Sequence, residues 1–278
     1  MQEDEFTYLL YWSEKCSLAH KLDQFHIPPT AKRKYTIPDL FVLINDNGKE
    51  KPFFIEVKTT KKNKLSWTET YYQGLINYSE LTGVPILVAW KWRSFDIWTL
   101  FELKHFKKAV SNYKIEIEKA HFENLMSKLL GDYVIIPYDE IGLHFSFKKV
   151  DVAERNEYET TWNSISEEIY ITGKDGKEIK EIDSELFLFL FSFSMNDITV
   201  ETDTHIVKSY VPSPDKSAFA QSVPLRLVRA FSNEEVNWLE KIKKQEYPIK
   251  YSSLLKSITQ GIDKEVIRYL LHLKPKSE

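Results

Sequence analysis

The stretch Ile37-Pro38-Asp39-Leu40-Phe41-Val42-Leu43-Ile44-Asn45-Asp46-Asn47-Gly48-Lys49-Glu50-Lys51-Pro52-Phe53-Phe54-Ile55-Glu56-Val57-Lys58 decides the fold. Leu40–Ile44 and Phe53–Ile55 are apolar, strand-like runs. The Asn45–Gly48 segment between them is made of residues that tolerate positive φ, so the whole reads as a β-hairpin. Antiparallel pairing brings Asp39, at the start of one strand, and Glu56, near the end of the other, to the same end of the hairpin. Side chains alternate along a strand, which puts Glu56 and Lys58 on one face and Val57 on the other. Two carboxylates and one amine converge.

Neighbouring carboxylates repel, and a divalent cation relieves that repulsion while taking hard oxygen ligands. Mg2+, or Mn2+ in its place, suits one or two carboxylates completed by water and a substrate phosphate. Such an ion lowers the pKa of a bound water and offsets charge on a phosphodiester under attack. Lys58 then orients or helps deprotonate that water, or neutralises the phosphorane. The arrangement points to phosphodiester hydrolysis; the plainer alternative is a surface hairpin on which Glu56 and Lys58 merely pair.

In Pro38-Asp39 and Glu56-Val57-Lys58 the chain resembles the PD-(D/E)xK nuclease superfamily, which includes type II restriction endonucleases, archaeal Holliday-junction resolvases and RecB-type nucleases. The resemblance implies an α/β fold with a restriction-endonuclease-like αβββαβ core and a mixed sheet. It also implies metal-dependent DNA cleavage, with Asp39, Glu56 and the Val57 carbonyl as metal ligands and Lys58 as the catalytic lysine. Some members add a metal-associated glutamate on the opening helix. Glu14 is the first choice here, Glu3 and Glu5 compete, and a solvent-facing role is the alternative for each. Gln73 with Tyr78 resembles the glutamine-and-tyrosine helix of RecB-like nucleases and resolvases, with one residue more than the usual spacing. Gln73 either serves the scissile phosphate and the metal water or is a surface glutamine. The resemblance covers about residues 5–103.

The composition, 42% hydrophobic over 278 residues, is ample for a core. The single Cys16 allows no disulfide framework, so a reducing compartment is expected. No signal peptide opens the sequence, and the most apolar run, Leu186–Phe193, is too short to cross a bilayer; a cytoplasmic protein with no membrane partner is expected. A net charge of −3 hides a strong asymmetry. Residues 30–64 hold nine basic against four acidic side chains, and residues 151–203 hold fourteen acidic against four basic. Lys32, Arg33, Lys34, Lys61, Lys62 and Lys64, flanking the hairpin, are the expected DNA contacts, each with a solvated role as its alternative.

Along the chain, Glu5–Lys21 reads as a helix that carries Cys16 in its core face, and Phe25–Thr36 as a loop or edge strand. Thr59–Lys64 reads as a polar connection. A capping box at Ser66–Glu69 opens a helix over Trp67–Thr82 that ends at Gly83. Strands follow at Pro85–Trp92 and Phe95–Leu103. Lys119–Leu130 reads as a helix, and Tyr133–Ile136 and Leu143–Phe147 as strands. Gly173–Gly176 is a hairpin turn, Leu186–Phe193 a short helix or strand, and Pro212 and Pro214 mark a loop. The tail reads as three helices, Asn233–Gln245, Tyr251–Gln260 and Asp263–Leu273, forming a packing bundle or a helix-turn-helix module. The expected organisation is a nuclease domain over 1–150 and an accessory domain over 151–278, an α+β region ending in that helical module.

Seven scattered histidines give no zinc motif, and no phosphate-binding Gly-x-x-x-x-Gly-Lys-Ser/Thr loop is present. The expected function is a Mg2+-dependent DNA endonuclease in restriction or phage defence. A Holliday-junction resolvase or a transposon end-cleaving nuclease of the TnsA kind is the alternative enzyme. A non-catalytic DNA-binding or assembly protein with a nuclease fold is the alternative of another class. DNA is the expected partner. Cutting two strands favours a homodimer, and the C-terminal region is the expected seat of any protein partner.

Overall fold

The structure, a computed structural model, describes residues 2–23, 34–155, 158, 160–179, 184–191, 195–212, 217–232 and 235–271. The chain divides into two compact units. One holds Met1–Tyr133 and Phe219–Tyr251, the other Val134–Ala218 and Ser252–Leu271. The units are therefore interleaved in sequence, with no single boundary near residue 150.

The first unit opens with α1 (Gln2–Trp12), β1 (Cys16–Lys21), β2 (Leu40–Asp46), β3 (Lys49–Thr60), β4 (Lys64–Thr68), α2 (Glu69–Thr82), β5 (Ile86–Trp92) and β6 (Ile97–Glu102). Five strands form one sheet in the order β1-β2-β3-β5-β6. The hairpin is as expected: Asn47 and Gly48, at φ 54° and 83°, turn the chain so that Asp46 pairs with Lys49 and Leu40 with Ile55. β3 and β5 run parallel, which requires a crossover, and α2 supplies it. The other pairings are antiparallel, so the sheet is mixed; with β4 set aside in another sheet, the elements open in the order αβββαβ, and β6 adds an edge strand.

Burial explains the order. Leu40, Val42 and Ile44 alternate into the core from β2, whereas β5 is buried on both faces, as expected next to a crossover. α2 lies on Phe54, Val88 and Trp90 through Tyr72 and Leu75. Its approach is close. A Cβ on Gly74 would fall 2.3 Å from the Thr36 hydroxyl oxygen, and Thr36 N–H donates to the Gly74 carbonyl at 3.0 Å.

Three local expectations are corrected. α1 stops at Trp12: the Ser13 hydroxyl turns back to the Leu10 carbonyl, Glu14 takes φ 56°, and residues 16–21 leave to pair with β2 as an edge strand. Cys16 therefore lies half-buried on a strand, where burial raises its thiol to about 12. Residues 64–68 form a strand, and Thr68, not Ser66, caps α2 by accepting from Tyr71 N–H at 3.3 Å. Finally, 119–130 is two short helices, α3 (Ile117–Phe122) and α4 (Met126–Leu130). Asn124 Oδ1 accepts from Leu100 N–H and Met126 N–H, both at 3.0 Å, and so divides them.

Preceding α3, β7 (Lys107–Lys108) and β8 (Asn112–Glu116) join β4 in a three-stranded sheet ordered β4-β8-β7. The returning segment adds helices Ser222–Ala230 and Trp238–Lys244. Gln221 covers the edge of β6: its side chain accepts from Trp98 N–H at 2.8 Å and donates to the Trp98 carbonyl at 2.9 Å. It also donates to Asp132 Oδ2 at 2.7 Å, while its backbone N–H reaches Oδ1 at 3.0 Å.

The second unit is built on a long hairpin, Gly142–Arg155 with Thr160–Thr172, in a five-stranded antiparallel sheet with Glu178–Ile179, His205–Pro212 and Met195–Glu201. Gly176, at φ 70°, lies in the expected turn, and Ser184–Phe191 is a helix. The helix expected over 263–273 is corrected: Ile267–Leu271 is a strand paired with Val134–Pro137. Glu265, at φ 56°, ends the preceding helix Tyr251–Asp263, and Val266 N–H returns to the Gly261 carbonyl at 2.7 Å. With no third helix there, the helix-turn-helix reading falls. Among the described residues, no helix is long and apolar enough to cross a membrane.

Candidate active site

Asp39 immediately precedes β2, where its N–H donates to the Ile55 carbonyl at 3.1 Å. Its Oδ2 accepts from Val57 N–H at 2.7 Å, which fixes the carboxylate across the hairpin. Glu56 lies in β3 between β2 and β5 and is 1% exposed. Lys58, two residues on, shares its face. The ammonium donates to Glu56 Oε1, stands 3.9 Å from Asp39 Oδ2, and lies 5.5 Å from the centre of the Tyr71 ring. The Tyr71 hydroxyl, from the first turn of α2, donates to the same Glu56 oxygen. The other oxygen, Oε2, is buried without a hydrogen-bond partner among the described residues.

Burial pushes the Glu56 carboxyl up to about 7; Lys58 opposes the shift and the nearby Asp39 charge adds to it. Asp39 is also raised by burial, against the pull of Lys58, Val57 N–H and a hydrogen bond with the Glu56 carboxyl, and Glu3 contributes repulsion. Burial works against the Lys58 cation, yet Glu56 and Asp39 outweigh it and hold the amine above its ordinary range. The Tyr71 phenol is raised by burial and by Glu56. Two adjoining carboxyls, one raised by the charge of the other and holding a buried oxygen with no donor among the described residues, are short of positive charge once both ionise, and their hard oxygens fit a divalent cation. Among the described residues, no group of three or more His, Cys, Asp or Glu side chains forms a metal cage. The set fits an ion that keeps places for water and phosphate.

The hairpin thus brings Asp39, Glu56 and Lys58 together. Gln73 is not among the side chains that touch them: it is exposed and donates to Asn77 Oδ1 at 2.9 Å, about 200° around α2 from Tyr71. Tyr71 was missed by sequence reasoning, although its place three residues after the capping Thr68 on the crossover helix was the available signal. Val57 is buried, and its N–H is the group seen to contact Asp39.

Of the three glutamates considered on the opening helix, Glu14 is exposed beyond its end. Glu5 is buried against Lys91, the Trp98 indole N–H and Arg229. Glu3 is the one whose charge reaches Asp39. Gln2 beside it accepts from the Thr59 hydroxyl at 2.7 Å, one residue beyond Lys58. Lys32 and Arg33 lie outside the described residues. Lys34 is exposed, 5.2 Å from the centre of the Tyr35 ring, and Lys61, Lys62 and Lys64 are exposed just past β3.

Residues 28–130 match the family model of the archaeal Holliday junction resolvase (hjc). No curated protein matches. Among solved structures, the Holliday junction resolvase Hjc of Archaeoglobus fulgidus, from an archaeal hyperthermophile, is similar at 18% identity and TM-score 0.35. That likeness covers 43% of this chain and 88% of the other. Over residues 28–130 the chain is thus similar to nucleases of the PD-(D/E)xK superfamily, and its mixed α/β sheet is consistent with their restriction-endonuclease-like fold.

Proposed function

We propose that the protein is a metal-dependent DNA endonuclease whose preferred substrate class is the four-way junction. The convergence of Asp39, Glu56 and Lys58 around the unpartnered Glu56 Oε2 carries the reading. Asp39, Glu56 and the Val57 carbonyl would hold the ion, and Glu3 is the nearby carboxylate that would support it. When bound, Mg2+ or Mn2+ lowers the pKa of a coordinated water and offsets charge on the phosphoryl oxygens.

The chain's own side chains do the rest. Lys58, kept as an ammonium by Glu56 and Asp39, donates to the attacking water or to a phosphoryl oxygen, where negative charge grows in the transition state. Tyr71 fixes one oxygen of Glu56 and leaves the other for a ligand. Lys34, Lys61, Lys62 and Lys64 supply phosphate contacts. The match over residues 28–130 favours junctions over restriction or phage-defence substrates. Symmetric cutting of a junction calls for two such sites, and hence for a homodimer.

The test offers a synthetic four-way junction, a linear duplex, a plasmid and single strands to the full chain, with Mg2+, Mn2+ or EDTA. Paired, metal-dependent nicks in the junction, lost in folded Glu56→Gln and Lys58→Ala, are expected. Cutting of duplex with the junction left intact would move the assignment to a restriction-type nuclease. A folded wild-type chain that cuts none of these would overturn the proposal.

A further inference from the structure

The sheet β4-β8-β7 has two unlike faces. Leu65 and Trp67 of β4 and Ile115 of β8 are buried, with Trp67 stacked on Phe106 at 4.4 Å and Tyr113 on Tyr72 at 3.8 Å. That face is fastened to the core beside α2. Alternation turns Lys64, Ser66, Thr68, Asn112, Lys114 and Glu116 to the opposite face. In register, Ser66 pairs with Lys114 and Lys114 with Lys107, so one row reads serine, lysine, lysine across three strands. Lys61 and Lys62, exposed in the turn before β4, extend the charge toward Lys58.

Among the described residues, these cations have no ion-pair partner. Lys51, Lys108, Lys149 and Lys241 each stand 2.6 Å from a carboxylate oxygen, whereas Lys61, Lys62, Lys64, Lys107 and Lys114 form no ion pair among the described residues. Glu116, opposite Lys64, is a carboxylate on the same face. Unpaired lysines interleaved with small hydroxyl and amide side chains make a surface suited to phosphates, not to an apolar partner. The sheet is also tied to the site at both ends of β4: Lys58 lies three residues before Lys61, and Tyr71 three residues after Thr68. At about 4.8 Å between strands, the row Ser66, Lys114, Lys107 spans roughly 10 Å across the sheet. Phosphates recur about every 3.4 Å of axis along one strand of a duplex, so that span meets several.

We propose that the outward face of β4-β8-β7 is a docking surface for duplex DNA, in which Lys64, Lys107 and Lys114 hold the backbone of the arm that leads into the site. The proposal rests on the nuclease reading. It adds to the hairpin lysines a second segment, residues 107–114, that lies more than forty residues away in sequence.

The test is fluorescence anisotropy of a labelled duplex and a labelled four-way junction, in EDTA so that nothing is cut, across a salt series. The full chain is compared with the triple variant Lys64→Ala, Lys107→Ala, Lys114→Ala, and with a control triple of exposed lysines elsewhere, Lys208→Ala, Lys243→Ala, Lys250→Ala. Each lost phosphate contact lowers the slope of log K against log salt by about 0.9, so the sheet variant loses about 2.7. Between 50 and 200 mM salt the wild-type chain then weakens roughly 40-fold more than the variant, while the control follows the wild type. A wild type that binds DNA with the same slope as the sheet variant, or a control with an equal loss, overturns the docking surface and leaves the nuclease reading standing. A folded wild type that binds neither DNA overturns both.

Discussion

On the proposed assignment of Glu56 as a metal ligand, proton and metal compete for its carboxylate, and the competition has a size. With the carboxyl raised to about 7 by burial and by Asp39, against Lys58, roughly a tenth of the metal-free protein carries an ionised Glu56 at pH 6, and roughly nine tenths at pH 8. Binding requires the carboxylate, so affinity for Mn2+ should rise about 10-fold over that interval and then level off. About half a proton should be released per ion at pH 7. Isothermal titration in two buffers of different ionisation enthalpy, at pH 6, 7 and 8, measures both quantities, and Glu56→Gln should bind weakly with a flat profile. The metal-free fold should show the complementary trend. The carboxyl is raised in the folded state, so its contribution to stability is fully present below the unfolded value of about 4.3 and is lost as pH rises through about 7. Glu56→Gln should remove that decline. A wild-type affinity that stays constant from pH 6 to 8, with no proton released, would refute the assignment of Glu56 as a buried, proton-bearing ligand.

Further substitutions test the neighbours. If the proposed role of Lys58 holds, in which its amine meets the charge that develops in the transition state, Lys58→Ala should lower kcat on a cleaved substrate by about 10²–10³-fold with metal affinity within a few-fold. Tyr71→Phe removes a hydrogen bond that lowers the Glu56 pKa, so the pH profile of metal binding should move to higher pH, with about a 10-fold loss of rate. Gly74→Ala would press a methyl group onto Thr36 and should cost about 1–3 kcal/mol in thermal or urea unfolding, where no loss would show that the loop yields freely. Glu5→Gln leaves buried Lys91, among the described residues, with Asp96 at 2.7 Å as its carboxylate, shared with Arg229, and should destabilise by about 2–4 kcal/mol, read by tryptophan fluorescence in urea. A cost near zero there would mean that water already screens the pair.

The parts of the fold that were legible are those with local punctuation. Asn47-Gly48 turns the hairpin, Gly83 ends α2, and runs of apolar residues mark β5 and β6. Asp39, Glu56 and Lys58 followed from strand alternation and register alone. Elsewhere tertiary pairing overrode the local pattern. Residues 16–21 carry no strong strand signal and become one because β2 offers an open edge. Ile267–Leu271 is recruited in the same way by Val134–Pro137. Tyr71 and Gln73 are two residues apart on one helix, and which of them faces Glu56 depends on the rotation of α2, set by Gly74 against Thr36 and Tyr72 against the core. No sequence pattern in the first 133 residues announces that Phe219–Tyr251 belongs with them.

The Gln221 contacts have an architectural consequence. The chain departs after Tyr133 and returns at Phe219, and the two crossing points are stapled by Gln221 to Asp132 and by Ala220 N–H to the Tyr133 carbonyl at 2.8 Å. Topologically, Val134–Ala218 is a guest whose two ends meet at one doorway in the first unit, while the rest of the second unit, Ser252–Leu271, follows Tyr251. The doorway is held shut by the host's own hydrogen bonds, so closing it with a short Gly/Ser bridge carries little loop entropy. Excision of the guest, with the chain ended after Tyr251, should leave a host that melts cooperatively and keeps its pH-dependent affinity for Mn2+.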